Sequence, residues 1–268
     1  SLSGGSTLIG GAGDDAYFVM GPGVTVVENP GGGNDAEISG IASLALADSV
    51  EQLQLSEGHG AVTGIGNGLD NLITGNSLGN LLQGVDGNDT LAGGGGNDTL
   101  DGGTGTNTLD LSAAPGAVDI NFAAGIAAQN GFGGHDSLTN LQVAIGTGFA
   151  DEFESSLSGG DTLIGGGGND TYWVMAAGVS IQENPGGGID TIYSQLASYT
   201  LSANVENLTL FRSAVGGTGN ELDNVVTGNA GNNLLDGAGG NDTLSGGGGN
   251  DTLLGGAGNN SLDGGTGT

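Results

Sequence analysis

The sequence predicts an all-β solenoid, a stack of coils made from very short parallel strands. Three observations point there. One is a nine-residue period: Asn71, Asn80, Asp89, Asp98 and Asn107 form one series, and Asn224, Asn233, Asp242, Asp251 and Asn260 form another. Another is an aliphatic residue two places after each member, Ile73, Leu82, Leu91, Leu100 and Leu109, then Val226, Leu235, Leu244, Leu253 and Leu262. The last is a glycine-rich run before several of them, as in Gly93-Gly94-Gly95-Gly96-Asn97-Asp98-Thr99-Leu100. Together they spell G-G-x-G-x-D-x-U-x, with U a large aliphatic.

Each part of the repeat has a physical job. A six-residue turn with three glycines can take backbone angles closed to other residues, so its carbonyls can converge on one point. The Asp at the sixth position adds a carboxylate there. The x-U-x remainder is a short strand with one side chain directed inward. Two nonapeptides complete a coil, and coils stack by strand pairing at roughly 4.8 Å. One repeat alone buries almost nothing, so the fold requires stacking.

A cluster of carbonyl and carboxylate oxygens suits calcium, a hard cation of flexible geometry, better than magnesium. The chain has no Cys and only two His, so zinc, copper and iron–sulfur sites lack ligands. The candidate carboxylates before residue 158 are Asp15, Asp35, Asp70, Asp89, Asp98, Asp136 and Asp151. Those after it are Asp161, Asp170, Asp190, Asp223, Asp242 and Asp251.

The pattern resembles the hemolysin-type calcium-binding repeats of secreted bacterial RTX proteins. The resemblance is tight at 84–109, 161–172 and 237–262 and extends over nearly the whole chain. It implies a right-handed parallel β-roll, or β-helix, with calcium between turns of adjacent coils. One turn gives its second and fourth carbonyls and its Asp; the other gives its first and third carbonyls and its Asp. Carried over, the turn ending at Asp98 offers Gly94 and Gly96, that at Asp170 offers Gly166 and Gly168, and that at Asp251 offers Gly247 and Gly249. Gly87 and Gly240 hold the fourth position before Asp89 and Asp242. Asn80, Asn107, Asn233 and Asn260 depart from the pattern. An amide keeps the oxygen and loses the charge, so those turns are expected to bind weakly or to mark the edge of an ion row.

The charge balance agrees with multiple cations. One Lys or Arg, Arg212, stands against thirty Asp and Glu, a net charge of −29. Without counter-cations such a chain repels itself and stays expanded. Roughly ten calcium ions would cancel most of the charge. A basic footprint for nucleic acid is absent, and no apolar run has transmembrane length. Absence of Cys fits an extracellular protein stapled by metal instead of disulfides.

The chain is duplicated. Ser3-Gly4-Gly5-Ser6-Thr7-Leu8-Ile9-Gly10-Gly11 returns as Ser158-Gly159-Gly160-Asp161-Thr162-Leu163-Ile164-Gly165-Gly166, and Glu28-Asn29-Pro30 as Glu183-Asn184-Pro185, an offset of 155. Two extra residues near Glu57 to Val62 reduce the later offset to 153. Three parts are expected: a first copy over 1–107, connecting coils over 108–157 and a second copy over 158–268. Longer strands are expected at Val24–Glu28 and Val179–Glu183, and the connector is expected to continue the coil with wider rungs. The closing Leu262-Asp263-Gly264-Gly265-Thr266-Gly267-Thr268 copies Leu100-Asp101-Gly102-Gly103-Thr104-Gly105-Thr106, which predicts a segment of a longer array.

Catalysis is not expected. His59 beside Glu57 and His135 beside Asp136 are the only His–carboxylate neighbours, and neither pair recurs in the other copy. Adjacent carboxylates such as Asp14-Asp15 and Asp151-Glu152 point apart on a strand or turn. Tyr17-Phe18 and Tyr172-Trp173 read as core or coil-end cover before they read as a sugar platform. No flat Thr row suited to ice occurs at the third turn position. The expected function is a calcium-binding structural and spacer segment of a secreted bacterial surface protein, such as an adhesin, that folds on meeting calcium outside the cell. The resemblance implies type I secretion. The alternative is the non-catalytic C-terminal module of a secreted protease, lipase or polysaccharide-modifying enzyme. Partners other than calcium would be neighbouring modules or cell-surface glycans.

Overall fold

The computed structural model describes residues 5–267, and among these the chain is all strands and turns, with no helix. It divides into two compact units. One comprises Ser1–Pro115 and Gly125–Ile145, the other Gly116–Ala124 and Gly146–Thr268. Each is a β-solenoid of short, mainly parallel strands.

In the first unit one sheet runs through Ala16–Val19, Ala36–Ser39, Gln52–Leu55, Leu72–Thr74, Thr90–Ala92, Thr108–Asp110 and Val143–Ile145. The other runs through Ser43–Ala45, Thr63–Ile65, Leu81–Gln83, Thr99–Asp101, Asp136–Thr139 and Ile126–Asn130. Thr90 pairs with Leu72 on one side and Thr108 on the other, eighteen residues each way. Two nonapeptides therefore make one coil, as the period requires.

The second unit repeats the scheme. One sheet holds Val118–Asn121, Glu152–Glu154, Thr171–Val174, Thr191–Ser194, Asn207–Leu210, Val225–Thr227, Thr243–Ser245 and Ser261–Asp263. A second holds Ser198–Thr200, Gly216–Thr218, Leu234–Asp236 and Thr252–Leu254, and Thr162–Ile164 pairs with Ser180–Gln182. The duplication is visible in register. Ala16 pairs with Ala36 and Ala36 with Gln52; 155 residues on, Thr171 pairs with Thr191 and Thr191 with Asn207. The two extra residues lengthen one coil of the first copy, where Gln52 pairs with Leu72 and its counterpart Asn207 with Val225.

The core is the column of central strand residues. Ile73, Leu82, Leu91, Leu100 and Leu109 are fully buried in the first unit, and Val226, Leu235 and Leu244 in the second. Each contributes roughly 1.5–3 kcal/mol through its burial, and none could do so without the coil above and below. Phe153 and Tyr172 stack inside the second unit with ring centroids 5.2 Å apart. The strand pattern sends alternate residues outward. Tyr17 and Tyr172 are therefore core, while Phe18 is exposed and Trp173 stacks on Tyr193 at 4.3 Å on the outer face.

Two expectations change. The strands expected over Val24–Glu28 and Val179–Glu183 are three residues long, Thr25–Val27 and Ser180–Gln182. They stop because Glu28 and Glu183 turn toward neighbouring turns, and Asn-Pro follows. Within 108–157 most strands pair in parallel, but Ile126–Asn130 folds back antiparallel on Asp136–Thr139. Gly131 and Gly133, both at positive φ, make the reversal possible.

Candidate metal centres

The sixth turn position places its side chain beside the backbone of the preceding coil. There one carboxylate oxygen is used and the other is not. Asp98 Oδ1 accepts the Asn80 N–H at 2.7 Å, and Asp136 Oδ1 accepts the Asp98 N–H at 2.9 Å. Asp89, Asp170, Asp190, Asp242 and Asp251 do the same for Asn71, Asp151, Asp170, Asn224 and Asn233 at 2.8–2.9 Å. Asp35 receives the Asp15 N–H at 2.8 Å. The second oxygens of Asp35, Asp89, Asp98, Asp136, Asp170, Asp190, Asp242 and Asp251 are buried with no hydrogen-bond partner among the described residues.

A buried carboxylate oxygen without a donor is costly. Burial raises the carboxyl pKa of Asp89 to about 6, of Asp98 to about 7 and of Asp170 to about 8, from an ordinary 3.8. Carboxylates nearby add to this, Glu183, Asp151 and Asp190 in the case of Asp170. The same burial raises Asp136, Asp190 and Asp242. A cation beside the unused oxygen would remove both penalties.

The surrounding atoms fit one. The unused oxygens of Asp89, Asp98, Asp170, Asp242 and Asp251 lie over the first glycine of their own turns, and a Cβ there would collide with them. At Gly84 the collision is with Asp89 Oδ2 and the Gly102 carbonyl, and at Gly237 with Asp242 Oδ2 and the Gly255 carbonyl. At Gly93 and Gly246 it is with Asp98 and Asp251. A carboxylate of one coil and a first-position carbonyl of the next thus meet at a cradle that only glycine leaves open. The sequence pattern supplied such carbonyls as a class but did not single out Gly102 or Gly255. Gly87, Gly94, Gly96, Gly166, Gly168, Gly240, Gly247 and Gly249 all lie at positive φ, from 85° to 119°. Val85 and Ala238 hold the second turn position at φ 86° and 68°, where Gly94 and Gly247 have 85° and 89°.

Not every candidate leaves an oxygen open. Asp151 Oδ2 accepts the Thr147 N–H at 2.6 Å, and Asp151 Oδ1 accepts the Val118 N–H at 2.8 Å. Asp161 Oδ2 accepts the Ser156 N–H at 2.6 Å. Asp70 and Asp223 hold the fifth turn position, are exposed, and accept the N–H of Asn88 and Asn241 at 2.7 and 2.6 Å. They belong to an outer ladder whose N–H groups donate in the opposite chain direction to those of the buried one.

Asparagine turns close on themselves. Asn71 Oδ1 accepts the Asn67 N–H at 2.8 Å, and Asn71 Nδ2 donates to the Val50 and Glu51 carbonyls at 3.3 Å. Asn67 Nδ2 donates to Ala47 and Val50. Asn76 with Asn80, Asn220 with Asn224 and Asn229 with Asn233 repeat the arrangement. In these turns an amide hydrogen stands against the carbonyls that a cation would otherwise bridge.

One further grouping lay outside the sequence pattern. Asp15, Glu28 and Asp35 bring carboxylate oxygens within 4.8 Å of one another, and so do Asp170, Glu183 and Asp190. The recurrence of Glu28-Asn29-Pro30 as Glu183-Asn184-Pro185 was the available signal. The histidines build no acid–base pair: His59 Nδ1 bonds the Glu57 main-chain carbonyl at 2.8 Å, and His135 bonds that of Ala128.

The profile of the RTX calcium-binding nonapeptide repeat matches four stretches, 74–109, 156–174, 218–253 and 245–268. These four stretches carry RTX calcium-binding repeats. The matched stretches include the turns ending at Asp89, Asp98, Asp170, Asp242 and Asp251, whose unused oxygens are described above. RTX repeats also occur in secreted proteins, and no helix of the described residues is long and apolar enough to cross a membrane. The chain is similar to the endo-1,3-1,4-beta-glycanase ExsH of Rhizobium meliloti (strain 1021), 46% identical over 65 residues. That match spans 24% of this chain and 14% of the glycanase.

Proposed function

We propose that the RTX segment is a calcium-folded structural spacer of a large secreted bacterial surface protein. The observation that carries this is the row of buried carboxylate oxygens left without a donor while their partners pin the adjacent coil. Such a stack is over-charged and under-satisfied without cations, and both faults vanish when calcium bridges the turns. In a calcium-poor cytosol the chain stays expanded and fit for export; at extracellular calcium it folds and stiffens. The pinned carboxylates would be the ligands, together with first-, second- and fourth-position carbonyls of the turns.

A second reading has one supporting observation, the 65-residue likeness to a glycanase. It makes the segment the non-catalytic calcium module of a secreted polysaccharide-acting enzyme. In either case the chemistry here is metal binding coupled to folding.

Far-UV circular dichroism during calcium titration from a chelated start tests the shared claim, with magnesium as control. A cooperative gain of β structure with calcium alone is expected. A fully folded chelated protein would remove the carrying role assigned to the ions. The length and domain content of the parent chain separate the spacer from the enzyme module.

A further inference from the structure

We propose that Asp15, Glu28 and Asp35 with Tyr17, and Asp170, Glu183 and Asp190 with Tyr172, form two calcium sites of a second kind, with a donor set different from that of the glycine-turn row. The choice of calcium rests on the function proposed above. The site itself rests on geometry. Each has three carboxylates from three segments: a glycine turn, the residue just after the second strand beyond it, and the following turn. Their oxygens lie within 4.8 Å of one another, where three negative charges repel strongly unless a cation joins them.

The tyrosine is an independent observation. Tyr17 is 6% exposed, and its hydroxyl has no hydrogen-bond partner among the described residues. It points where the carboxylates point: a Cβ at Gly10 would strike Tyr17 Oη, Glu28 Oε1 and Asp15 Oδ2 together. In the second copy a Cβ at Gly165 would strike Tyr172 Oη, Glu183 Oε1 and Asp170 Oδ2. The same three residue types, Tyr, Glu and Asp, thus converge twice, 155 residues apart, on a first-position glycine.

Open donor capacity remains in both copies. Glu28 Oε1 and Asp35 Oδ2 are buried and unpartnered, as are Asp170 Oδ2, Glu183 Oε2 and Asp190 Oδ2. Glu28 Oε2 is held by the Gly11 and Asn29 N–H groups at 3.2 and 3.1 Å, and Glu183 Oε1 accepts the Tyr172 hydroxyl. The glutamates are thereby oriented rather than mobile.

The donor set predicts the ranking of sites. An ordinary pair of repeats offers two carboxylates and neutral carbonyls; these offer three carboxylates and a hydroxyl. Calcium affinity rises with ligand charge and rigidity, so these two sites fill before the glycine-turn row. An all-oxygen trianionic site also accepts a trivalent lanthanide, and the phenol beside it makes terbium a luminescent probe.

The test is calcium equilibrium dialysis of the full chain, with tyrosine-sensitised terbium emission and calcium displacement alongside. The wild type is expected to bind two ions about tenfold or more tighter than the rest. The isosteric double variant Glu28→Gln with Glu183→Gln is expected to lose this tight class and its terbium emission while keeping the weaker class. Asp98→Asn with Asp251→Asn is expected to lower the number of weaker ions while keeping the tight class and its terbium emission. Should the glutamine pair not fold at saturating calcium, Glu183→Gln alone should lose one of the two tight ions. An unchanged isotherm in the glutamine variants overturns the proposal and leaves calcium folding standing. A wild type that binds no calcium overturns both.

Discussion

Asp98 spans a coil boundary with half of its carboxylate: Oδ1 accepts the Asn80 N–H at 2.7 Å, while Oδ2 is buried and unpartnered among the described residues. The first contact is structural and survives without metal. The second is a debt that only a proton or a cation can settle. Asp98→Asn keeps an oxygen for Asn80 and removes the charge. In calcium it should lower stability by about 1–3 kcal/mol, and in chelator it should lower it less or raise it. Paired denaturant melts, with and without calcium, check the sign; equal losses in both would show that Oδ2 meets no ion.

Acidity should substitute for calcium in part. Unfolded, these carboxyls titrate near 3.8; folded and metal-free, those of Asp89, Asp98 and Asp170 titrate at about 6, 7 and 8 because burial disfavours the charged form. A raised folded pKa means that the fold binds extra protons between the two values. The penalty on the metal-free fold is therefore fully present above about pH 8 and relieved as the pH falls toward about 4. Chelated protein should gain β signal as the pH falls from about 8 to about 5, and the calcium needed for half-folding should fall over the same window, while protons competing for the same oxygens weaken calcium binding to the folded sites. A chelated fold that weakens on acidification through this window would contradict the assignment.

Asn71→Asp should be the mirror image of Asp98→Asn. Asn71 Nδ2 donates to the Val50 and Glu51 carbonyls at 3.3 Å and to Asn67 Oδ1 at 3.2 Å. A carboxylate there faces three oxygens with no hydrogen to offer. A loss of about 1–3 kcal/mol in chelator is expected, with part of it recovered in calcium. A thermal melt in each buffer decides; no loss in chelator would mean that the amide closure contributes nothing.

Val85→Gly should stabilise the first unit. Val85 sits at φ 86°, a conformation hard on a β-branched residue, where the neighbouring turn has Gly94 at 85°. Relief of that strain should exceed the added chain entropy by about 0.5–1 kcal/mol with the m-value unchanged. The reverse change, Gly94→Val, should cost more, because a Cβ there meets the Asn76 carbonyl oxygen at 2.5 Å. A Val85→Gly variant with a lower denaturation midpoint would refute the strain at this turn.

The ladder was legible because its period is written in residues that have no other reason to recur. Leu82, Leu91 and Leu100 had to point inward once the nine-residue step was seen, and they are fully buried. The carboxylates were legible as a set but not one by one. Whether an Asp keeps an open oxygen depends on the N–H groups of its own turn: that of Thr147, four residues back, consumes Asp151 Oδ2 and that of Ser156, five back, consumes Asp161 Oδ2, whereas Asp98 Oδ2 stays open. Glu28 and Glu183 escaped notice because they come from irregular segments, where no fixed spacing ties a residue to its neighbour across the coil. The fold-back of Ile126–Asn130 had the same cause.

The asparagine rungs change how ordering can begin. Each ladder opens with two of them, Asn71 and Asn80 before Asp89 and Asp98, and Asn224 and Asn233 before Asp242 and Asp251. A thread carrying so much like charge would otherwise have to capture many ions at once before any coil became stable. Rungs closed by amides offer a ready surface on which the next coil can lie down and take up its ion singly. Assembly then resembles growth from a seed crystal, one layer at a time, and a stopped-flow jump in calcium should reveal β structure accumulating without a lag.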